Sequence, residues 1–189
     1  MSSDELHQRS FGDLRNPESL IKACTDVDVI VHAAGIAHVG NSNKTELFST
    51  NVIGTRDLLK AAEKQRVKRF VHISSSLAMF LDGHGTANTA YGQSKQEAEN
   101  LVMDSHDAGR VESVVVRPVN VYGVGMKGSI PTLISMAHRW RLPALPQLDT
   151  CMSLISAQDL SRAIYLAIVS EKAAGKAYTL SLIHISEPT

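Results

Sequence analysis

A phenol and an ammonium group lie four positions apart in the sequence, at Tyr91 and Lys95. On a helix this spacing puts both side chains on one face, one turn from each other. A tyrosine with an ordinary pKa of about 10 is a poor base at neutral pH, and a nearby cation favours its ionised form. The pair therefore predicts an acid/base tyrosine with Lys95 as its activating cation, and a solvated surface contact is the alternative.

Ser76 favours the catalytic interpretation of this pair. It is the last of three serines that follow the predicted strand 68–73, and open α/β sheets bind ligands at the carboxyl ends of their strands. Its hydroxyl would hydrogen-bond a substrate oxygen while Tyr91 exchanges a proton with that oxygen.

The elements that would position these residues alternate along the chain. Segments 27–34 and 113–117 are typical of strands buried on both faces, and 68–73 is predicted to be the strand between them. Periodic apolar residues predict helices over 45–65, 91–103 and 159–169, and a further helix begins at Pro17 with Asn16 as its N-cap. The connections are long enough for crossovers, so the predicted fold class is α/β, a doubly wound parallel sheet of the Rossmann-like type.

The composition limits the kinds of partner. Nineteen basic residues balance nineteen acidic ones, so the charge does not favour a nucleic-acid or membrane-surface partner, and a small-molecule substrate is predicted. The start of the chain does not resemble a signal peptide and no apolar stretch is long enough to span a bilayer, which predicts a cytoplasmic protein.

Metal binding is not predicted either. Cys24 and Cys151 lack metal-ligand or CxxC spacing and are interpreted as free, mostly buried thiols. His32 and His72, on predicted strands, are interpreted as core residues.

The segment 123–128 reads GVGMKG, a G-x-G-x-x-G pattern of the kind that binds a dinucleotide pyrophosphate. Its context argues against that role, because Pro118 interrupts the strand before it and Pro131 delays the helix after it. We interpret it as a flexible loop that leads into a substrate-side region.

Several motifs follow one another between about Phe11 and Thr179: Gly12–Leu14, His32–Gly35, Asn51–Thr55, Ser74–Ser76, Tyr91 with Lys95, and Arg117–Gly123. In this order and spacing they resemble the extended branch of the short-chain dehydrogenase/reductase superfamily. The resemblance is to its NAD(P)-dependent epimerase/dehydratase group and its 3-beta-hydroxysteroid dehydrogenase relatives.

The resemblance implies roles for individual residues. It makes Ser76, Tyr91 and Lys95 catalytic, with Ser76, Asn120 and Lys127 at the substrate. It predicts that NAD or NADP is bound by ten residues: Asp13, Leu14, Ala33, Ala34, Gly35, Asn51, Tyr91, Lys95, Pro118 and Val121. It also implies a homodimer formed through the helix that carries Tyr91 and the neighbouring helix.

The same resemblance implies a division of the chain. Residues 1–123 and 155–180 would form a partial NAD(P)-binding domain, and 124–154 a substrate-side insertion. The family's first strand, glycine loop, first helix and second strand have no counterpart, so a fragment that binds cofactor weakly or not at all on its own is expected. The last ten residues match the translation of a sequencing-library adapter letter for letter, and 182–189 are therefore left out of the predicted fold, with a short final strand as the alternative.

Two departures from the family bear on the substrate. Leu77 and Ala78 stand where family dehydratases have an Asp-Glu pair, and since neither can move a proton, sugar dehydration is disfavoured. Met152 stands where sugar-nucleotide enzymes tend to have an arginine for the diphosphate. Asn120 and the glycine loop favour a nucleotide-sugar epimerase, a 3-beta-hydroxysteroid-type or other dehydrogenase is the alternative, and a non-catalytic binding protein of the same fold is the third hypothesis.

Overall fold

Four parallel strands form the main sheet in a computed structural model of the protein, which describes residues 11–37, 44–79, 89–126 and 153–181 and a few positions between 132 and 139. In spatial order the strands are β1 (Val29–His32), β2 (Arg69–Ile73), β3 (Glu112–Pro118) and β6 (Lys176–Leu180). All three pairings are parallel. Two further strands, β4 (Asn120–Tyr122) and β5 (Leu154–Ser156), pair with each other in parallel.

Helices cover both faces of the main sheet. They are α1 (Pro17–Ala23), α2 (Lys44–Phe48), α3 (Gly54–Lys64), α4 (Ala90–Asp107) and α5 (Ala157–Val169). Adjacent residues of β2 face opposite ways: Phe70 packs with residues of α1, α3 and α4, and Val71 packs with residues of α5. This two-sided core confirms the predicted α/β class, because a strand that is buried on both faces requires helices on both.

The start of α1 confirms the predicted cap. Asn16 Oδ1 accepts hydrogen bonds from the backbone N–H groups of Glu18 at 3.1 Å and Ser19 at 3.2 Å. Pro17 occupies the first turn, where its missing N–H costs nothing.

The helical stretch predicted over 45–65 is confirmed, because the chain is helical from Lys44 to Lys64. A π-helical turn, Ser49–Ile53, separates α2 from α3. Within it the side chain of Asn51 leaves the helix to bind the backbone of Ile36. A wider turn of this kind redirects a side chain without ending the helix, and such turns are frequent at functional sites.

The prediction that Pro118 interrupts its strand is confirmed, because β3 ends at Pro118 and the next strand, β4, belongs to a separate sheet. The neighbouring strand β2 already ends opposite Val116, at Ile73. Pro118 therefore pairs with β6 alone, opposite Leu180, and a proline is tolerated where one side of the strand has no partner.

Arg69 ties α5 to the sheet. Its side chain is 9% exposed, and Nη1 donates hydrogen bonds to the carbonyl oxygens of Ala167 and Ile168, at 3.0 Å each, and Ser170, at 2.6 Å. Nη2 pairs with Glu112 on β3. A cation at the last carbonyls of a helix satisfies acceptors that have no partner within the helix and suits the helix dipole.

Gly175, in the turn before β6, is predicted to be sensitive to substitution. Its φ is +69°, and an added Cβ would lie 2.5 Å from Nε2 of His106, whose Nδ1 accepts a hydrogen bond from Ser113 N at 3.2 Å. Gly109 is a matched control because its φ is +67° and a Cβ there meets nothing within 4 Å.

We expect Gly109→Ala to lower the free energy of unfolding by about 1 kcal/mol, the cost of the backbone conformation. Gly175→Ala should cost about 1–2 kcal/mol more, because the His106 ring must move. Denaturant unfolding measures both, and equal losses would contradict the predicted clash.

Candidate active site

The carboxyl ends of β1 and β2 and the first turn of α4 converge on one edge of the sheet. Ala33, Ala34 and Gly35 follow β1 and are exposed, and the serines 74–76 follow β2. Helix α4 begins after Thr89, whose Oγ1 accepts a hydrogen bond from Gly92 N at 3.1 Å. This cap fixes the turn that carries Tyr91.

Ser75 is the serine that interacts with Tyr91. The Ser75 side chain lies close enough to the phenol to favour its ionised form, and Ser75 Oγ accepts a hydrogen bond from Leu77 N at 3.3 Å. Ser76, the serine singled out in the sequence, is half-buried and begins a 3-10 turn that ends at Met79. Ser75 is thus a site residue that the sequence interpretation missed, and the catalytic role of Ser76 stays a prediction.

The pKa of Tyr91 is raised. Burial of the phenol is the main cause, and the neighbouring Ser75 side chain opposes it. In the chain alone Nζ of Lys95 donates to the carbonyl oxygen of Ile73 at 2.7 Å, and the lowering of the Tyr91 pKa by Lys95 together with a bound nicotinamide stays a prediction. Without a ligand, Tyr91 is a proton donor at neutral pH.

Lys95 is held in the interior as a cation at some energetic cost. It is 6% exposed. Burial lowers its pKa to about 8, against the opposing attraction of the Glu99 carboxylate. Most of the ammonium is still charged at pH 7, one helical turn from the phenol.

The imidazoles of His32 and His72 are neutral and lie near Lys95. Both are buried, which confirms the prediction that they are core residues. The rings of His32 and His72 are 5.3 Å apart, and His32 Nε2 lies 2.9 Å from Oγ1 of Thr55. Burial lowers the pKa of His32 to about 4 and holds that of His72 well below its usual value, and in both cases repulsion by Lys95 adds to the effect.

Asn51 connects the loop after β1 to α4. Its Oδ1 accepts from Ile36 N at 2.8 Å, and its Nδ2 donates to Ile36 O and to Ser94 Oγ, both at 3.0 Å. An added Cβ on Gly35 would lie 2.9 Å from Oδ1, so this contact requires a glycine. Since its amide atoms bind the protein, Asn51 shapes the site rather than offering free donors to a ligand.

Comparison with known proteins identifies the family to which this geometry belongs. A sequence model described as "NAD dependent epimerase/dehydratase family" matches residues 2–181. The chain belongs to this family. The match confirms the resemblance drawn from the ordered motifs.

The relatives in this family differ in substrate. UDP-glucose 4-epimerase of Vibrio cholerae is 30% identical over 188 residues, which cover 90% of this chain and 56% of that protein. The 3beta-hydroxysteroid-dehydrogenase/decarboxylase isoform 1 of Arabidopsis thaliana is 28% identical over 138 residues, covering 67% of this chain and 31% of that protein. The chain thus spans 31% to 56% of the length of these two relatives.

A solved structure supports the fold. A double mutant of dTDP-glucose 4,6-dehydratase from Streptomyces venezuelae, crystallised with NAD, superposes with a TM-score of 0.77 at 26% identity, over 90% of this chain and 58% of that one. The Rossmann-like architecture predicted from the alternating strands and helices is therefore confirmed.

Two further predicted cofactor-binding residues of this epimerase/dehydratase family member, Asp13 and Leu14, lie before α1. Asp13 is exposed and pairs with Arg15 at 2.9 Å, and Leu14 packs against the apolar core. The described segment around them, 11–15, forms no strand, although the resemblance makes it a strand end.

At the opposite side of the edge, Pro118 is buried, and Asn120 and Val121 are exposed on β4. Asn120 Nδ2 donates to Ser153 O at 3.4 Å. Lys127, Cys151 and Met152 lie outside the residues that the structure describes, as does the tail 182–189.

The interpretation of the sequence also missed an ion pair beside Lys95. Glu99 on α4 and Arg117 on β3 are joined by Nε at 3.0 Å and Nη2 at 2.5 Å. The signal that could have found Glu99 is its spacing, since it follows Lys95 by four residues on the same helical face.

Among the residues that the structure describes, no group of three or more histidine, cysteine, aspartate or glutamate side chains could hold a metal ion. In the same part of the chain, no helix has the length and apolar character needed to cross a membrane.

The buried histidines predict acid sensitivity. In the unfolded chain His32 takes up a proton as the pH falls through about 6.5, whereas in the folded protein it stays neutral down to about 4. The free energy of unfolding therefore has its full value above about pH 6.5 and falls below that pH. For His32 alone the loss between about pH 6.5 and pH 4 is about 3 kcal/mol, since each pH unit is worth about 1.4 kcal/mol.

Urea unfolding between pH 7 and pH 4 would measure this loss, with pH steps of about one unit. Replacing buried His72 by phenylalanine should reduce the slope, whereas exposed His138→Gln is a control that should leave it unchanged. A wild-type stability that is constant across this pH range would contradict the burial of two neutral imidazoles.

Proposed function

We propose that this epimerase/dehydratase family member carries out NAD(P)-dependent hydride transfer at a secondary alcohol, most specifically as a nucleotide-sugar epimerase. One observation carries the proposal: the Tyr91 phenol, beside Ser75, lies one helical turn from the buried ammonium of Lys95 at the carboxyl edge of a parallel sheet. Ligands of open α/β sheets bind at this edge.

The residues around the edge fit a dinucleotide. Ala33, Ala34 and Gly35 leave the end of β1 exposed and free of long side chains, so a flat cofactor can approach the backbone closely. Asn51 holds this segment through Ile36. Bound NAD(P) would supply the hydride acceptor at the edge.

The side chains would divide the proton chemistry. Tyr91 takes the proton of the substrate hydroxyl when hydride leaves its carbon and returns it when hydride comes back. Ser75, with Ser76 beside it, orients the substrate oxygen. Because burial raises the pKa of Tyr91, the oxidative direction needs the positive charge of Lys95 together with that of an oxidised nicotinamide to favour phenolate.

Substrate choice is the finer part of the proposal. The similarity to UDP-glucose 4-epimerase extends over 90% of this chain, and Asn120 is exposed on β4 where it can meet a polar ligand. A hydroxysteroid-type dehydrogenase is the second candidate, favoured by the apolar pair Leu77 and Ala78 after the serines and by the sterol enzyme among the relatives.

Assembly and location complete the proposal. We propose a homodimer through the outer faces of α3 and α4, which pack side by side around a cleft of about 260 Å³ that includes Leu59 and Leu101, and a cytoplasmic location. Size-exclusion chromatography with light scattering tests the dimer, for which the expected mass in solution is twice that of the monomer.

The test uses the full open reading frame that contains this chain, supplied with NAD or NADP. We expect interconversion of UDP-glucose and UDP-galactose, followed by NMR, without net formation of reduced cofactor. Net reduction with a 3-beta-hydroxysteroid would establish the alternative. Binding of these ligands without turnover of either would instead indicate a non-catalytic protein of the same fold.

A further inference from the structure

Three ionisable side chains repeat at four-residue spacing on one face of α4: Tyr91, Lys95 and Glu99. Lys95 and Glu99 are 6% and 3% exposed. Opposite charges at this spacing on a helix normally attract each other, and in a buried setting that attraction is stronger. The ammonium of Lys95 is nevertheless directed at the carbonyl oxygen of Ile73, at 2.7 Å.

The carboxylate of Glu99 is held from another element. Arg117, on β3, places Nε 3.0 Å from each carboxylate oxygen and Nη2 2.5 Å from Oε2. The Glu99 side chain is 4% exposed and that of Arg117 is 25% exposed. A guanidinium that grips both oxygens fixes the plane and position of the carboxylate, which a single-point contact does not.

The ionisable side chains around Lys95 belong to β1, β2, β3 and α4 itself. His32 on β1 and His72 on β2 are neutral, since burial and the repulsion by Lys95 lower the pKa of each. Tyr91 is neutral at pH 7 as well. Glu99 and Arg117 then offset each other, so the positive charge of Lys95 is the net charge of this buried group.

We propose that Arg117 is a positioning residue: by gripping Glu99 it prevents this carboxylate from pairing with Lys95, and so keeps the ammonium charge available to Tyr91. The proposal rests on the proposed acid/base role of Tyr91 for its functional meaning. Without Arg117, Glu99 would be a buried carboxylate with Lys95 as its neighbouring cation, and an unpaired buried charge is costly enough to drive that rearrangement.

The test follows the proton affinity of Lys95 in the 189-residue chain by NMR of lysine labelled at Cε, with the resonance assigned by its loss in Lys95→Arg. Arg117→Met should raise this affinity at least about tenfold, because a new ion pair favours the charged amine. Glu99→Gln should lower it. In the Glu99→Gln background, Arg117→Met should change it by less than about threefold, because the carboxylate that would rearrange is absent.

Two results would overturn the proposal. One is an equal rise in both backgrounds, which would mean that Arg117 acts only by direct repulsion of Lys95. The other is no rise in the single variant. If circular dichroism shows that Arg117→Met does not fold, Arg117→Lys replaces it in the same set of variants. Lysine keeps the charge but cannot bind both carboxylate oxygens, so it should raise the proton affinity of Lys95 by less, and only when Glu99 is present.

The readout needs neither cofactor nor substrate, so its failure is separate from failure of the proposed function. Turnover adds a second comparison: if the chain is active, Arg117→Met should shift the basic limb of its pH–rate profile upwards, while an effect on stability alone would lower the rate at every pH.

Discussion

Replacing Tyr91 by phenylalanine should lower turnover by about a hundredfold or more, while leaving the fold and cofactor binding nearly unchanged. The phenol is the group placed to exchange a proton with the substrate oxygen, and positioned acid/base groups typically contribute about 10²–10⁴-fold to a rate. The ring itself is half-buried against the site, and phenylalanine preserves that packing. Steady-state rates of the variant and the wild type, with whichever of the nucleotide sugars or hydroxysteroids the wild type turns over, give the comparison.

Tyr165→Phe is the matched control for this change. Tyr165 lies on α5 and is 63% exposed, so losing its hydroxyl should leave turnover within about twofold, as expected for a surface substitution. Near-normal activity of Tyr91→Phe, or equal losses in the two variants, would remove Tyr91 from the proposed chemistry.

Lys95→Met should stabilise the protein while abolishing most of its activity. Folding lowers the pKa of Lys95 from 10.5 to about 8, a difference equivalent to about 3 kcal/mol at about 1.4 kcal/mol per pH unit. Methionine removes this cost but leaves the Ile73 carbonyl without its donor, so we expect a net gain of about 1–2 kcal/mol in the free energy of unfolding at pH 7.

The pH dependence of this gain has a definite sign. Between about 8 and 10.5 the unfolded wild type binds more protons at Lys95 than the folded wild type, so its stability rises with pH through this range. The advantage of Lys95→Met should therefore shrink over the same interval. Exposed Lys60→Met is the control, and a Lys95→Met variant less stable than wild type at pH 7 would contradict the cost assigned to the buried ammonium.

The sequence predicts most successfully where a local pattern has one structural solution. Asn16 followed by Pro17 predicted a helix start that the structure has, and the apolar runs predicted strands that the sheet contains. The chemistry of Tyr91 and Lys95 could likewise be recognised, because four-residue spacing on a helix fixes which side chains share a face.

Failures occur where distant residues decide the geometry. Ser75, which the sequence interpretation did not single out, interacts with Tyr91, and three adjacent serines carry no signal that distinguishes them. The π-helical turn at Ser49–Ile53 accompanies a contact between Asn51 and Ile36, which helical periodicity alone does not reveal.

The charged pairs show the same limit. Arg69 binds carbonyl oxygens about a hundred residues further along the chain, at the end of α5. Arg117 grips Glu99 from a different element. Both arginines are ordinary basic residues in the sequence, and only the packing of helices on the sheet gives them partners.

The central claim is that Tyr91 and Lys95 form a hydride-transfer site, and one measurement tests it most directly. The full open reading frame that contains this chain is mixed with NAD or NADP and a secondary alcohol substrate that carries deuterium at the reacting carbon, then quenched within a single turnover. Mass spectrometry of the recovered cofactor should show deuterium in the nicotinamide for the wild type, and label appearing about a hundredfold more slowly for Tyr91→Phe. Absence of label with both the nucleotide sugars and the hydroxysteroids, or equal labelling rates in the two proteins, would contradict the claim.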